Sequence, residues 1–222
     1  MSLDPTALLL HKDSCLLVLN KPAGLAVHGG PKTPESLEMH LEALRFGNRA
    51  FPQPAHRLDR DTSGCLVLGR HAKALSRLGK LFEERLISKT YWAIARGRPA
   101  DARGRIDLAL LKVNDRNGWR MQTNAAGQQA STEYEVLGAV DGLSWIAFRP
   151  LTGRTHQIRV HAASLGCPLL GDALYGAGGP EPLLLHARQL LIPYHAERAA
   201  VRVEAPPPPP MLARLAAFGF SA

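Results

Sequence analysis

His56-Arg57-Leu58-Asp59-Arg60-Asp61-Thr62-Ser63-Gly64 sets a carboxylate among arginines, in a polar turn between segments that read as ordered. A surface loop has no need of that combination. A site that must hold an ionised Asp against a negatively charged ligand does need it, because the arginines stabilise the carboxylate and attract the ligand. For a lone Arg-x-Asp, a solvated charged turn would be the better reading. Here a second basic cluster, Gly153-Arg154-Thr155-His156-Gln157-Ile158-Arg159-Val160-His161, shifts the balance toward a site.

Outward from the nonapeptide, Cys65–Gly69 reads as a short buried strand. Ala72–Leu86 then places Ala74, Leu75, Leu78, Leu81 and Phe82 on one stripe, which predicts an amphipathic helix. Upstream, Leu8–His11 and Cys15–Asn20 are apolar runs around the turn residues Asp13-Ser14 and predict strands. Lys21-Pro22-Ala23-Gly24 breaks the backbone, and His28-Gly29-Gly30-Pro31 continues it as loop. Ser36–Phe46 carries Leu37, Leu41 and Leu44 at helical spacing.

Downstream, Thr90–Ala95, Thr132–Val140 and Ser144–Arg149 predict strands, the last two joined into an antiparallel hairpin by Asp141-Gly142. One or two further strands fall near Ile106–Leu111 and Trp119–Thr123. His156–Leu165 reads as a short helix with Thr155 as its N-cap, Gly166 past its end and Pro168 beyond. Leu183–Ile192 and Val201–Glu204 read as strands, and Pro206–Pro210 as a stiff connector into a helix over Met211–Phe218. Strands outnumber helices without alternating strictly with them. The expected class is therefore α+β: one domain over 1–222, with a central mixed, mostly antiparallel sheet flanked by helices and loops.

The 222 residues suffice for a full core. The chain is 45% hydrophobic and 21% charged, with no apolar run long enough to span a bilayer, so no membrane association is expected. Met1-Ser2-Leu3-Asp4 does not open a secretory signal. Cys15, Cys65 and Cys167 form no Cys-x-x-Cys pair and read as reduced residues of a cytoplasmic protein. A formal net charge of +8 favours a polyanionic partner, nucleic acid first.

Neither a Gly-x-x-x-x-Gly-Lys-Ser/Thr loop nor a Gly-x-Gly-x-x-Gly nor a His-Glu-x-x-His occurs, so no nucleotide cofactor and no metal are expected. His156 and His161, five apart, would diverge on a helix and make a poor ligand pair. What remains is an aspartate among arginines. Such a carboxylate can act as general base, metal ligand or nucleophile at an electron-poor carbon such as a sugar C1′. A glycosidase would want a second distant acid, and only Asp61 stands near. By composition alone Asp61 rivals Asp59.

Read together, His56–Gly64 and Gly153–His161 resemble the two signature motifs of the RluA-type RNA pseudouridine synthases. Asn20-Lys21-Pro22-Ala23-Gly24-Leu25-Ala26-Val27-His28-Gly29-Gly30 is similar to that family's early Lys-Pro-x-Gly segment, Lys89-Thr90-Tyr91 to its Lys-x-Tyr strand, and Gly171-Asp172-x-x-Tyr175-Gly176 to a later loop. The likeness runs in order from about Leu8 to the final helix. It implies the pseudouridine synthase fold and isomerisation of specific uridines in structured RNA, with Asp59 as the catalytic aspartate. It further implies that Tyr91 packs on the target base and that Arg154 pairs with the carboxylate. Two opposite charges about 4 Å apart interact by roughly 4 kcal/mol at an effective dielectric near 20, enough to favour the charged acid. Arg57 matches an arginine that moves into the space left by the extracted nucleotide. His56, Arg60, Lys21 and Arg159 are the further expected RNA contacts.

In the implied reaction the uridine is flipped out of its stack. Asp59 then either attacks C1′ or removes the C2′ proton, and C5 replaces N1 on C1′. Gly29-Gly30 after Val27-His28 looks more like the large-subunit rRNA branch than the tRNA branch, so rRNA is the favoured partner and tRNA the second. A monomer is expected. Many members carry an N-terminal domain of the S4 type; the motifs here begin almost at once, which predicts a catalytic domain without one. The competing readings are a non-catalytic RNA-binding or assembly protein on the same fold, and a nucleoside or glycoside hydrolase.

Overall fold

The computed structural model describes residues 3–30, 33, 35–116, 118–195 and 197–221. Met1, Ser2 and Pro31, which enter the readings of the N-terminus and the first loop, lie outside the described residues. In chain order the strands are β1 (Leu9–Lys12), β2 (Leu16–Lys21), β3 (Gln53–Pro54), β4 (Ser63–Gly69), β5 (Ser88–Arg96) and β6 (Arg103–Asp107). They continue as β7 (Leu110–Asp115), β8 (Gly118–Thr123), β9 (Ser131–Val140), β10 (Leu143–Pro150), β11 (Leu185–Ile192) and β12 (Val201–Glu204). The α-helices are α1 (Ala72–Glu83), α2 (Gln157–Ser164) and α3 (Pro209–Leu215). The class is α+β and the sheet mixed and mostly antiparallel, as the sequence predicts.

The residues group into two compact units. The first comprises residues up to Lys89 together with Ala187–Pro206. In it β2 lies antiparallel between β1 and β4, and β12 pairs with Gln189–Ile192 of β11. Leu16–Leu19 and Ser63–Gly69 are buried throughout, because both faces of these strands are covered; their sequences are accordingly continuous apolar runs rather than alternations. Leu16, Val18, Cys65 and Val67 point to one side, where Ala74, Leu78 and Leu81 of α1 pack on them with Leu190, Ile192 and Val203. The stripe read from the sequence is therefore the buried face of α1, whose N-cap is His71, its side chain accepting from the Ala74 N–H. Leu37, Leu41 and Leu44 are buried as their spacing predicts, but Leu37–Leu44 winds as a 3-10 helix.

The second unit comprises Thr90–His186 and the residues from Pro207 on. Its strands run antiparallel in the order β5, β10, β9, β6, with β7 and β8 forming a separate hairpin. Asp141 (φ 48°) and Gly142 (φ 73°) both take the left-handed conformation that a tight β9–β10 turn requires. Ala93, Ala95, Ile146 and Phe148 pack under Ile158 and Ala162 of α2. On the other face of β5, Ile94 and Trp92 pack with Leu184, Met211, Leu215 and Phe220.

Three expectations need correcting here. The strand predicted over Ile106–Leu111 is two strands, since Ile106 pairs with Thr132 of β9 whereas Leu110 pairs with Thr123 of β8. The chain changes partner at Leu108-Ala109, and hydrophobic periodicity does not register a change of partner. Thr155 is not the cap of α2; His156 holds that position with φ 52° and without a side-chain cap bond. The proline run is not only a connector, because Pro209 opens α3, where a missing N–H costs nothing. Cys65 and Cys167 are buried and Cys15 half-buried, all as free thiols.

Candidate active site

The nonapeptide is the turn that enters β4, and its first-unit surroundings hold it by several independent anchors. Leu58 and Thr62 are buried, and the Thr62 N–H donates to the Asp59 carbonyl at 3.1 Å, closing a tight turn over Asp59-Arg60-Asp61. Gly64 has φ 107°, and a Cβ there would overlap the Ala187 backbone, so no other residue fits. At the other end the imidazole of His56 accepts the Val67 N–H at Nε2, 3.0 Å, and its ring lies 4.6 Å from that of Phe82. Burial, with the Lys89 ammonium adding to it, pulls the His56 pKa down to about 3. His56 is thus a neutral anchor of the loop, in place of the RNA contact expected of it.

Lys21 is also displaced from its expected role. It ends β2, opposite Gly64, and is fully buried. Its ammonium donates to the carbonyls of Leu25 (2.7 Å), Pro22 (2.8 Å) and Arg60 (3.0 Å). Burial brings its pKa down to about 8, opposed by the negative charges of Asp61 and then Asp59. The Gly24 N–H donates to the same Arg60 carbonyl at 2.9 Å. The Lys-Pro-x-Gly segment therefore holds the Asp59 turn from beneath, and a lysine so enclosed does not reach a phosphate. Arg57 and Arg60 are exposed, and Arg60 Nε donates to Asp61 at 3.0 Å. Asp59 itself is half-buried.

The second unit carries the other expected site residues. Tyr91 stands on β5 opposite Phe148 of β10, half-buried against the cluster under α2. Arg154 lies in the turn before α2, half-buried, with Nε donating to the Gln129 carbonyl at 3.2 Å. That turn is built by Gln157, which the sequence reading did not single out. Its Oε1 accepts from the Arg154 N–H (2.9 Å) and from the Thr152 hydroxyl (2.7 Å). Its Nε2 donates to the Ser131 carbonyl (2.9 Å) and to the Thr132 hydroxyl oxygen (2.8 Å). Every hydrogen-bonding capacity of one buried amide is thus engaged with the strand and turn around Arg154.

Arg159 differs from its expectation in the same way as Lys21. Its side chain is 8% exposed and grips Asp172 through Nε–Oδ2 (2.8 Å) and Nη2–Oδ1 (2.7 Å). Burial would raise the Asp172 carboxyl, but the Arg159 bond and charge and the N–H groups of Leu174 and Tyr175 hold it below the usual range. An RNA phosphate would have to displace that carboxylate. Arg159 is a structural cation fastening the 171–176 loop to α2. His156 and His161 do diverge: Nδ1 of His156 meets Tyr175 Oη at 2.7 Å, and Nδ1 of His161 meets the Thr132 hydroxyl at 2.8 Å. The signal for Lys21 was its place just past the apolar run Leu16–Leu19, with only Asn20 between. For Arg159 it was its place between the apolar Ile158 and Val160, in a helix buried from Gln157 to Ala162.

Residues 15–164 match the family model of the RNA pseudouridylate synthases. An uncharacterized RNA pseudouridine synthase of Zymomonas mobilis is 44% identical over 201 residues, covering 88% of this chain and 91% of that protein. Ribosomal large subunit pseudouridine synthase C of Rickettsia conorii is 36% identical over 193 residues, 84% of this chain and 63% of that protein. Among solved structures, human RNA pseudouridylate synthase domain containing 4 superposes with a TM-score of 0.83 at 27% identity, covering 98% of this chain and 95% of the other.

Proposed function

The chain belongs to the RNA pseudouridylate synthase family, and we propose that it isomerises uridines of structured ribosomal RNA with Asp59 as the reacting acid. The preference for ribosomal RNA is supported by the relatives named for the large ribosomal subunit. The match of His56–Gly64 to the family motif selects Asp59, while Asp61 is paired with Arg60 at 3.0 Å, and one observation supports the turn that bears Asp59 as a site. That turn is fastened by a buried ammonium and a backbone N–H on the Arg60 carbonyl, by a Gly-only contact at Gly64 and by His56 on β4. Such anchoring suits a carboxylate whose position must be kept.

The reaction is balanced within the nucleotide. The C1′–N1 bond breaks, C1′–C5 forms, the C5 proton leaves and N1 gains one; mass and oxidation state are unchanged, so no external group donor is required. Asp59 acts at C1′ as nucleophile or at C2′ as base, on a nucleotide turned out of its stack. The resemblance assigns Tyr91 to the base and Arg154 to the charge of the acid, and the exposed Arg57 and Arg60 would meet phosphates.

Release of tritium from RNA labelled at uridine C5 tests this reading. Wild type releases it; Asp59→Asn releases none while its circular dichroism and melting temperature match wild type, and Asp61→Asn retains release. Full release by Asp59→Asn with loss in Asp61→Asn would transfer the role to Asp61. Absence of release from wild type would favour an RNA-binding protein without activity.

A further inference from the structure

The buried amide of Gln157 has one orientation open to it. The Arg154 N–H can only donate and the Ser131 carbonyl can only accept, so Oε1 faces the first and Nε2 the second. Nε2 also donates to the Thr132 hydroxyl oxygen at 2.8 Å. With a proton supplied to that oxygen, the Thr132 O–H is left to point at Nδ1 of His161, 2.8 Å away. Nδ1 is therefore the acceptor, and the ring proton sits on Nε2, which donates to the Leu108 carbonyl at 3.2 Å. Thr132 and His161 are completely buried. Burial lowers the His161 pKa, opposed by the Leu108 bond and the charge of Asp107, so the ring is neutral at pH 7.

This chain of bonds ends on the main chain of Arg154. The Arg154 N–H donates to Gln157 Oε1 (2.9 Å), and the Arg154 carbonyl accepts the Gln157 backbone N–H (3.1 Å). Between the two residues His156 is kept at φ 52°, a conformation that a non-glycine residue holds only when its surroundings impose it. The Thr152 hydroxyl completes the frame, accepting the Ser131 N–H (3.0 Å) and donating to the same Oε1 (2.7 Å). A turn fixed at so many points sets where its arginine side chain begins.

We propose that Gln157, backed by Thr132 and His161, is a positioning residue for the isomerisation, holding the Arg154 main chain so that the guanidinium can meet the charge of the reacting acid. The inference rests on the isomerase reading and deepens it. All three side chains are buried, so they act through Arg154 and not on the RNA.

The test measures kcat and KM for tritium release from large-subunit ribosomal RNA labelled at uridine C5, at a temperature where circular dichroism shows each variant folded. Gln157→Leu is expected to lower kcat about 100-fold, the size of a roughly 1 Å misplacement, with KM unchanged. Gln157→Glu puts an oxygen where Nε2 met the Ser131 carbonyl. Protonated, that oxygen donates as the amide did; ionised, it repels the carbonyl. Burial raises such a carboxyl, with His161, Asp107 and Arg154 as the charged or titratable groups around it. Relative to wild type, kcat of Gln157→Glu should therefore fall as pH rises from about 6 to 9, by up to about tenfold per unit, whereas the Gln157→Leu ratio stays constant. Thr132→Ser should keep kcat and Thr132→Val lose it. A proton–nitrogen correlation spectrum of wild type should show His161 protonated on Nε2.

An Nδ1-protonated His161, a Gln157→Glu ratio constant with pH, wild-type kcat in folded Gln157→Leu, or a loss confined to KM overturns the positioning role. If Gln157→Leu fails to fold, Gln157→Glu and the two Thr132 variants decide. Any of these results with release by wild type refutes the positioning alone. A wild type that releases no tritium refutes the isomerase reading, and the positioning role with it.

Discussion

Replacing Lys21 by methionine tests how the Asp59 turn is held in place. The substitution removes an ammonium that makes three hydrogen bonds of 2.7–3.0 Å while keeping a side chain of similar length and apolar stem. Hydrogen bonds to a charged group contribute about 1.5–3 kcal/mol each, so roughly 4–9 kcal/mol of favourable interaction is at stake. Against it stands the burial cost expressed by the fall of the pKa from 10.5 to about 8, worth about 3 kcal/mol, which methionine does not incur. The Arg60 carbonyl keeps the Gly24 N–H. The hydrogen bonds win, and the net loss should be about 1–6 kcal/mol. For a chain of this size that lowers the melting temperature by about 2–24 °C.

Urea or thermal unfolding at pH 7 measures it. The pH dependence has a definite sign. Because the folded value lies below the unfolded one, between about pH 8 and 10.5 the unfolded chain holds a proton that the folded chain has lost, and stability from this residue rises with pH. The gap between wild type and Lys21→Met should widen across that window. A melting temperature within about 2 °C of wild type at pH 7, or a gap that narrows toward pH 10.5, would refute the reasoning.

Two other substitutions probe the same frame. Gly64→Ala combines a φ of 107° with overlap on the Ala187 backbone and should cost about 2–4 kcal/mol, read as a shifted urea midpoint; a neutral variant would mean that β4 can move away. Arg159→Met leaves the buried Asp172 without its cation and should cost about 3–5 kcal/mol. Asp172 is held below its unfolded value of 3.8, so its contribution is full above that pH and is lost as pH falls through the lower folded value. Urea midpoints at pH 5 and pH 3 should therefore drop more steeply for wild type than for Arg159→Met.

Local signals carried much of the architecture. The stripe Ala74, Leu78, Leu81 faces the core, Asp141-Gly142 makes the turn of β9–β10, and the apolar runs of β2 and β4 are buried strands. Each of these depends on neighbours in the chain, and periodicity or turn chemistry records such neighbours directly. The family motifs were legible for the same reason, as short runs of fixed spacing.

The fate of the charged and polar residues was not legible, because a cation in a sequence does not state whether its partner is water, a phosphate or a buried carbonyl. Lys21, His56 and Arg159 lie in the family motifs, as Arg57 and Arg60 do. Folding gave the first three partners at Arg60, Val67 and Asp172, while leaving the last two exposed. Thr155 looked like a cap, but Gln157 reaches back to Arg154 and strand β9, and the cap position went to a left-handed His156. Residue order along the chain thus determined the elements and the family. Only the packing of distant segments decided which side chains are structural and which remain available to RNA, since desolvation and hydrogen-bond partners exist only once those segments have met.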